Sequence, residues 1–176
     1  MTRYVALLRG INLGTRNRIA MADLRDLLGE LGTGVRTHLQ SGNAVLTAPG
    51  RTDREIAAAV EQRIATRLGL NVPVVVRTAA ELRAVVDGNP MEVQDPTRFL
   101  VSFLAAEPGP EFTAGLDLAA YAPEEMRVVG RDIYLSLPDG VRNARLPALL
   151  DRRLTVTATL RNWNTVVRLL ELAEQE

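Results

Sequence analysis

VRTHLQSGNAVL, residues 35–46, is two short β-forming runs around a turn. Val35–Gln40 and Ala44–Thr47 read as strands, and Gln40-Ser41-Gly42-Asn43 reads as the hairpin between them. What lies on either side decides the fold. Upstream, Leu24, Leu27, Leu28 and Leu31 fall on one helical face within Ala22–Leu31, and Gly32 can end that helix. Downstream, Ile56, Val60, Ile64 and Leu68 do the same within Asp53–Leu68, closed by Gly69. Outside the two helices stand two more β-forming runs, Tyr4–Arg9 and Val72–Arg77. The order is strand, helix, strand, strand, helix, strand, the split βαβ or ferredoxin-like arrangement.

Thr78–Val86 reads as a connecting helix, with Thr78 as N-cap and Glu81 three positions on. The turn-rich, acidic stretch GNPMEVQDPT follows, and a boundary is expected there. The second half then repeats the order. Phe99–Leu104 is a strand and Pro110–Ala120 is expected to be helical. Met126–Val129 and Ile133–Leu137 flank a tight turn, Ala144–Leu150 is a short helix, Thr155–Leu160 is a strand, and a helix runs to the end. The expected fold class is α+β: two tandem ferredoxin-like subdomains at 1–78 and 97–176, a helical and turn-rich linker at 79–96, and an extra C-terminal helix. Strands such as YVALL, VPVVV and FLVSFL are apolar on both faces, so both faces of each sheet need cover, from the other half or from a second subunit.

This topology has a sheet order of 4-1-3-2, which predicts which loops meet. The loop after the first strand, RGINLGTRNR (9–18), should lie beside the hairpin QSGN, with Asn43 near Arg9 and Gly10. In the second half, PDGVRNAR (138–145) and RNWN (161–164) should share one edge.

Composition limits the chemistry. Without cysteine there are no disulfides, thiol nucleophiles or thiolate metal sites. The one histidine, His38, builds no multi-histidine site, and no metal or cofactor is implied. No apolar run reaches the ~20 residues a membrane helix needs. The N-terminus lacks a signal-peptide pattern, so the expected compartment is cytoplasmic. The net charge is zero, but the charges are uneven: residues 1–22 hold Arg3, Arg9, Arg16 and Arg18 and no acid, and residues 142–168 hold six arginines against Asp151. Every basic residue is arginine, which suits bidentate contacts to phosphate or carboxylate; GC-rich coding explains the same bias.

Each motif has two readings. In RGINLGTRNR, amides freed by Gly10 and Gly14, with Arg9, Arg16 and Arg18, could hold an anion ahead of a helix. Equally, Asn12, Asn17 and the glycines suit an ordered connection. The loop has neither the Walker ending nor the GxGxxG spacing. Ser41 and His38 stand three apart on an extended run, so they point to opposite faces and make no nucleophile–base pair. In RNWNT, Asn162 reads as a helix N-cap, leaving Arg161 and Asn164 for a site. Aromatic stacking of RNA on a sheet is poorly supported: the first half offers only Tyr4, and Phe99, Phe103 and Tyr134 of the second half have acidic flanks.

The same motifs carry a resemblance. YVALLRGINLG with MADLRDLL, then VRTHLQSGNAVL, then MRVVGRDIYLSLPDG (Met126–Gly140) and TLRNWNTVVRLLELA resemble the domain-of-unknown-function 1697 family over almost the whole chain. The resemblance implies a bacterial-type α+β protein with two ferredoxin-like subdomains, and implies no activity. Three positions depart from the usual pattern: Gly14-Thr15 for paired glycines, His38 for an aromatic, and Asn143-Ala144-Arg145 for a serine-lysine pair.

Three functional classes follow. The first is a binding protein for an anionic small molecule or nucleic-acid backbone, using Arg9, Asn12, Gly14, Asn17, Arg18, Asn43, Arg145, Arg161 and Asn164. The second is an enzyme on a phosphorylated or carboxylated small molecule, with arginines stabilising charge and no covalent intermediate. The third is an oligomerisation or partner module, with a homodimer among its forms.

Overall fold

The computed structural model describes residues 1–175. The chain is α+β, with two four-stranded antiparallel sheets and five α-helices among the described residues. It divides into two compact units, Met1–Ala84 with Arg168–Glu176, and Val85–Val167. No helix among the described residues is long and apolar enough to cross a membrane.

The first unit contains β1 (Thr2–Leu8), α1 (Met21–Gly29), β2 (Thr33–His38), β3 (Asn43–Ala48), α2 (Asp53–Leu68) and β4 (Val74–Thr78), followed by α3 (Ala79–Asp87). Its strands lie in the order β2-β3-β1-β4. Pairing of Tyr4 with Leu46 and of Ala6 with Ala44 fixes the register of the central pair. Those four residues and Leu8 share a core with Leu24, Leu27 and Leu28 of α1 and Ile56, Val60 and Ile64 of α2. Thr52 and Glu55 cap α2 reciprocally: Glu55 N donates to Thr52 Oγ1 at 3.2 Å and Thr52 N to Glu55 Oε2 at 2.7 Å. Gly69, at φ +64°, ends the helix as expected. The Thr78–Glu81 box at the start of α3 also forms, with bonds of 3.1 and 2.8 Å.

The second unit contains β5 (Phe99–Leu104), β6 (Glu125–Val129), β7 (Asp132–Ser136), α4 (Leu146–Arg153), β8 (Ala158–Asn162) and the start of α5 (Trp163–Glu174). Its sheet order is β6-β7-β5-β8. The stretch Pro110–Ala120 is not the helix its sequence suggests. It forms two 3-10 turns, Pro110–Phe112 and Leu118–Tyr121. Between them Gly115 adopts φ +65°, outside helical space, and Asp117 accepts from Ala119 N at 3.1 Å to start the second turn. Phe112 is nonetheless buried in a core with Leu100, Met126, Ile133, Leu135 and Leu149.

The doubly apolar strands are buried on both faces. All six residues of β5 are buried, as are Tyr4 to Leu8 in β1. Val5 and Leu7 point away from the helix-side core of their sheet and are still fully buried.

Candidate functional site

The meeting of loop and hairpin predicted for the first half is present. β1 ends with Leu8 N donating to Gly42 O at 2.8 Å, and Arg9 N donating to Pro73 O at 2.9 Å. Position 42 calls for glycine twice over: its φ is +86°, and a Cβ there would lie 2.7 Å from Leu8 Cβ and 3.1 Å from Ile11 Cδ1. Asn43, opposite Leu7, is fully buried, and its Nδ2 donates to His38 O at 3.1 Å and Ser41 Oγ at 3.0 Å.

The loop folds back on itself. Asn12 N donates to Asn17 O at 3.0 Å, and Leu13 bridges to Arg16. Asn12, Gly14 and Asn17 take φ values of +55°, +65° and +49°, the left-handed region where asparagine and glycine are tolerated best. The Asn12 side chain is a clamp. Its Oδ1 accepts from Ile19 N at 2.8 Å; its Nδ2 donates to Ile19 O at 3.0 Å and to Gln40 O at 2.6 Å. Asn17 Nδ2 reaches Gly10 O at 3.4 Å. The loop is therefore stitched to itself and to the hairpin through Asn12.

Between the loop, the hairpin and the start of α1 lies an open depression of about 880 Å³. Ile11 and Ile19, both buried, form part of its lining. Leu13 and Leu39 also line it, yet they are 71% and 59% exposed. Leu39 holds its side chain there at φ +58°. The polar lining includes Arg18, Asp23 and Ser41. Ala20 occupies the N-cap of α1 and supplies no side-chain acceptor, so the first amides of the helix lack a side-chain cap. Of the sequence-derived candidates, Asn12 and Arg18 line the depression. Asn12 is engaged at both polar ends, and Arg18 is the cation presented. Asp23, Leu13 and Leu39 were not singled out from sequence. Asp23 reads there as an ordinary first-turn acid, and no local pattern tells an exposed leucine from a core one.

The second unit's expected edge also forms. Ser136 pairs with Phe99 and Asn162 with Leu100, so the segments following β7 and β8 both leave from the start of β5. Asn162 Oδ1 accepts from Thr165 N at 2.9 Å and caps α5. Trp163 packs edge-on against Phe99 at 5.3 Å between ring centroids. Arg161 Nη1 donates to Thr159 Oγ1 at 2.7 Å and Leu160 O at 2.8 Å, and desolvation pushes its pKa down to about 10. It remains charged at neutral pH. Asn164 is exposed.

Arg145 sits in an internal network. Its Nη1 donates to Ala120 O at 3.0 Å, its guanidinium lies 5.1 Å over the Tyr121 ring, and its Nε is 3.6 Å from Glu124 Oε1. The buried Glu124 carboxylate accepts from Arg145 N at 2.9 Å and from Leu146 N at 2.8 Å. The chain's own carboxylate thus fills the anion position at the start of α4. Phe99, Phe103 and Tyr134, the aromatics available for base stacking, are buried to within 2%.

A family model described as a protein of unknown function (DUF1697) matches residues 1–134. The chain belongs to that family. The match spans the loop, the hairpin and the depression of the first unit. No curated protein matches the chain. Among solved structures, the chain is similar to the conserved bacterial protein SP0830 from Streptococcus pneumoniae. The two share 21% identity and a TM-score of 0.74, with 98% of this chain and 99% of that one covered. The likeness is one of fold.

Proposed function

We propose that this DUF1697 chain is a binding protein for a small anionic ligand carrying a phosphate or carboxylate, taken up in the depression of the first unit. The observation that carries this reading is the depression itself. Its volume, about 880 Å³, falls within the ~300–1,000 Å³ range of small-molecule sites. Its one cation, Arg18, forms no ion pair or side-chain hydrogen bond among the described residues, so its donors are available. The adjoining start of α1 is uncapped by any side chain and favours negative charge. The loop that presents Arg18 is already ordered by Asn12, which limits the entropy lost on binding.

Each unit is proposed to be ferredoxin-like, the second in a modified form with 3-10 turns in place of its first helix. Both strand orders support this, β2-β3-β1-β4 and β6-β7-β5-β8. Binding of nucleic-acid backbone is a less favoured form of the same reading, because the sheet aromatics are buried. A catalytic role on such a ligand would rest on Arg18 alone for charge stabilisation, and no nucleophile–base pair supports it.

Thermal unfolding against inorganic phosphate, sugar phosphates, nucleotides, carboxylates and short RNA, at low and high salt, tests the proposal. A small-molecule site predicts saturable stabilisation of about 2.7 kcal/mol at a hundredfold excess over Kd. The shift should disappear in Arg18→Gln. No shift with any anion, or an unchanged shift in Arg18→Gln, would overturn it.

A further inference from the structure

The depression carries two opposite charges that do not pair with each other. Arg18 and Asp23 both line it, and neither has an ion-pair partner among the described residues. A site for a simple anion would gain nothing from Asp23, which repels it. The same lining is partly apolar: it includes buried Ile11 and Ile19, and the exposed side chains of Leu13 and Leu39. Leu39 bears on this independently. A leucine at φ +58° is strained, and glycine would relieve it, yet an aliphatic side chain stands there in solvent. Strain of this kind concentrates where a side chain contacts a ligand.

We infer that the depression takes a small aliphatic zwitterion, a free amino acid or short peptide with an aliphatic side chain. Its carboxylate meets Arg18, its ammonium meets Asp23, and its side chain packs against Leu13 and Leu39. The inference rests on the anion-binding reading and narrows it: the carboxylate is retained, phosphate is set aside, and a cationic group is added. Arg18 supplies planar paired donors for the carboxylate, and Asp23 is acceptor-only when ionised, matching an ammonium. Neither charge is buried, so each contact is screened by solvent and affinity depends on all three parts acting together.

Isothermal titration of the full chain with L-leucine, leucyl-leucine, 4-methylpentanoate and isoamylamine tests this. The two single-charge analogues each delete one ligand charge and keep the aliphatic body. The expected result is that leucine or leucyl-leucine binds severalfold tighter than either analogue, the size of one solvent-exposed ion pair. Whichever of the two is preferred sets the charge spacing. Asp23→Asn and Arg18→Gln should each bring the zwitterion down to the level of the analogues. Leu39→Gly should weaken it severalfold while the protein melts no lower than wild type, because glycine suits that backbone. If 4-methylpentanoate or phosphate binds as tightly as the zwitterions, and Asp23→Asn tightens it, this inference falls and the anion reading stands. If none of these ligands nor phosphate binds, both fall.

Discussion

Gly42→Ala perturbs the junction that builds the depression. Its cost has two parts. The backbone at φ +86° disfavours any L side chain, by about 1–2 kcal/mol. The new methyl would sit 2.7 Å from Leu8 Cβ and 3.1 Å from the Ile11 side chain, both in the buried end of β1 and its loop. Neither can withdraw freely: Leu8 N is bonded to Gly42 O, and Leu8 and Ile11 both belong to the helix-side core. Overpacking of this kind costs a further ~1–3 kcal/mol. The sum is about 2–5 kcal/mol, and a chain of this length loses roughly 2–4 °C of Tm per kcal/mol. Gly14→Ala is the control. Its φ of +65° carries the same backbone penalty, but nothing lies within 4 Å of the added Cβ. Urea unfolding of both variants, with the m-value checked against wild type, separates strain from packing. Gly42→Ala should lose at least 1 kcal/mol more than Gly14→Ala, to the order of magnitude given by the overpacking term. Equal losses in the two variants would refute the close approach of hairpin and loop on which the site depends.

Two further predictions follow from the electrostatics. Glu124→Gln leaves an amide group facing the Arg145 and Leu146 N–H donors at the start of α4, and should lower stability by about 2–4 kcal/mol in chemical denaturation; ligand binding at the depression of the first unit should be unaffected in the folded variant. His38 has its pKa lowered from 6.5, by desolvation and then by the Arg168 charge. The unfolded chain therefore binds a proton more readily, so stability falls as pH drops through 6.5 toward the folded value. His38→Gln should flatten that part of the stability–pH curve, and a variant curve as steep as wild type would contradict the assignment.

Local signals were strong where one residue type answers one local need. The α2 boundaries, its Gly69 terminus, the Thr78 box and the Asn162 cap all follow from residues within four positions of each other. The loop–hairpin meeting was legible too, because strand order dictates which ends adjoin. Pro110–Ala120 misled because its apolar spacing suits a helix, while Gly115 breaks the backbone and Phe112 is held by distant core residues. The candidate site was only partly legible for the same reason. Asn12 looks like a ligand contact until its hydrogen-bond partners at Ile19 and Gln40 are seen, and Arg145 looks free until Glu124 and Tyr121 are placed against it. Asp23 and Leu39 carry no local mark; only the shared depression gives them a role.

The most direct measurement is an amide chemical-shift titration of the full chain with L-leucine and leucyl-leucine. The account predicts saturable shifts concentrated at Asn12–Asp23 and Leu39–Ser41, the segments that line the depression, and their loss in Arg18→Gln. Saturable shifts centred elsewhere, or shifts at the depression that persist in Arg18→Gln, would contradict it.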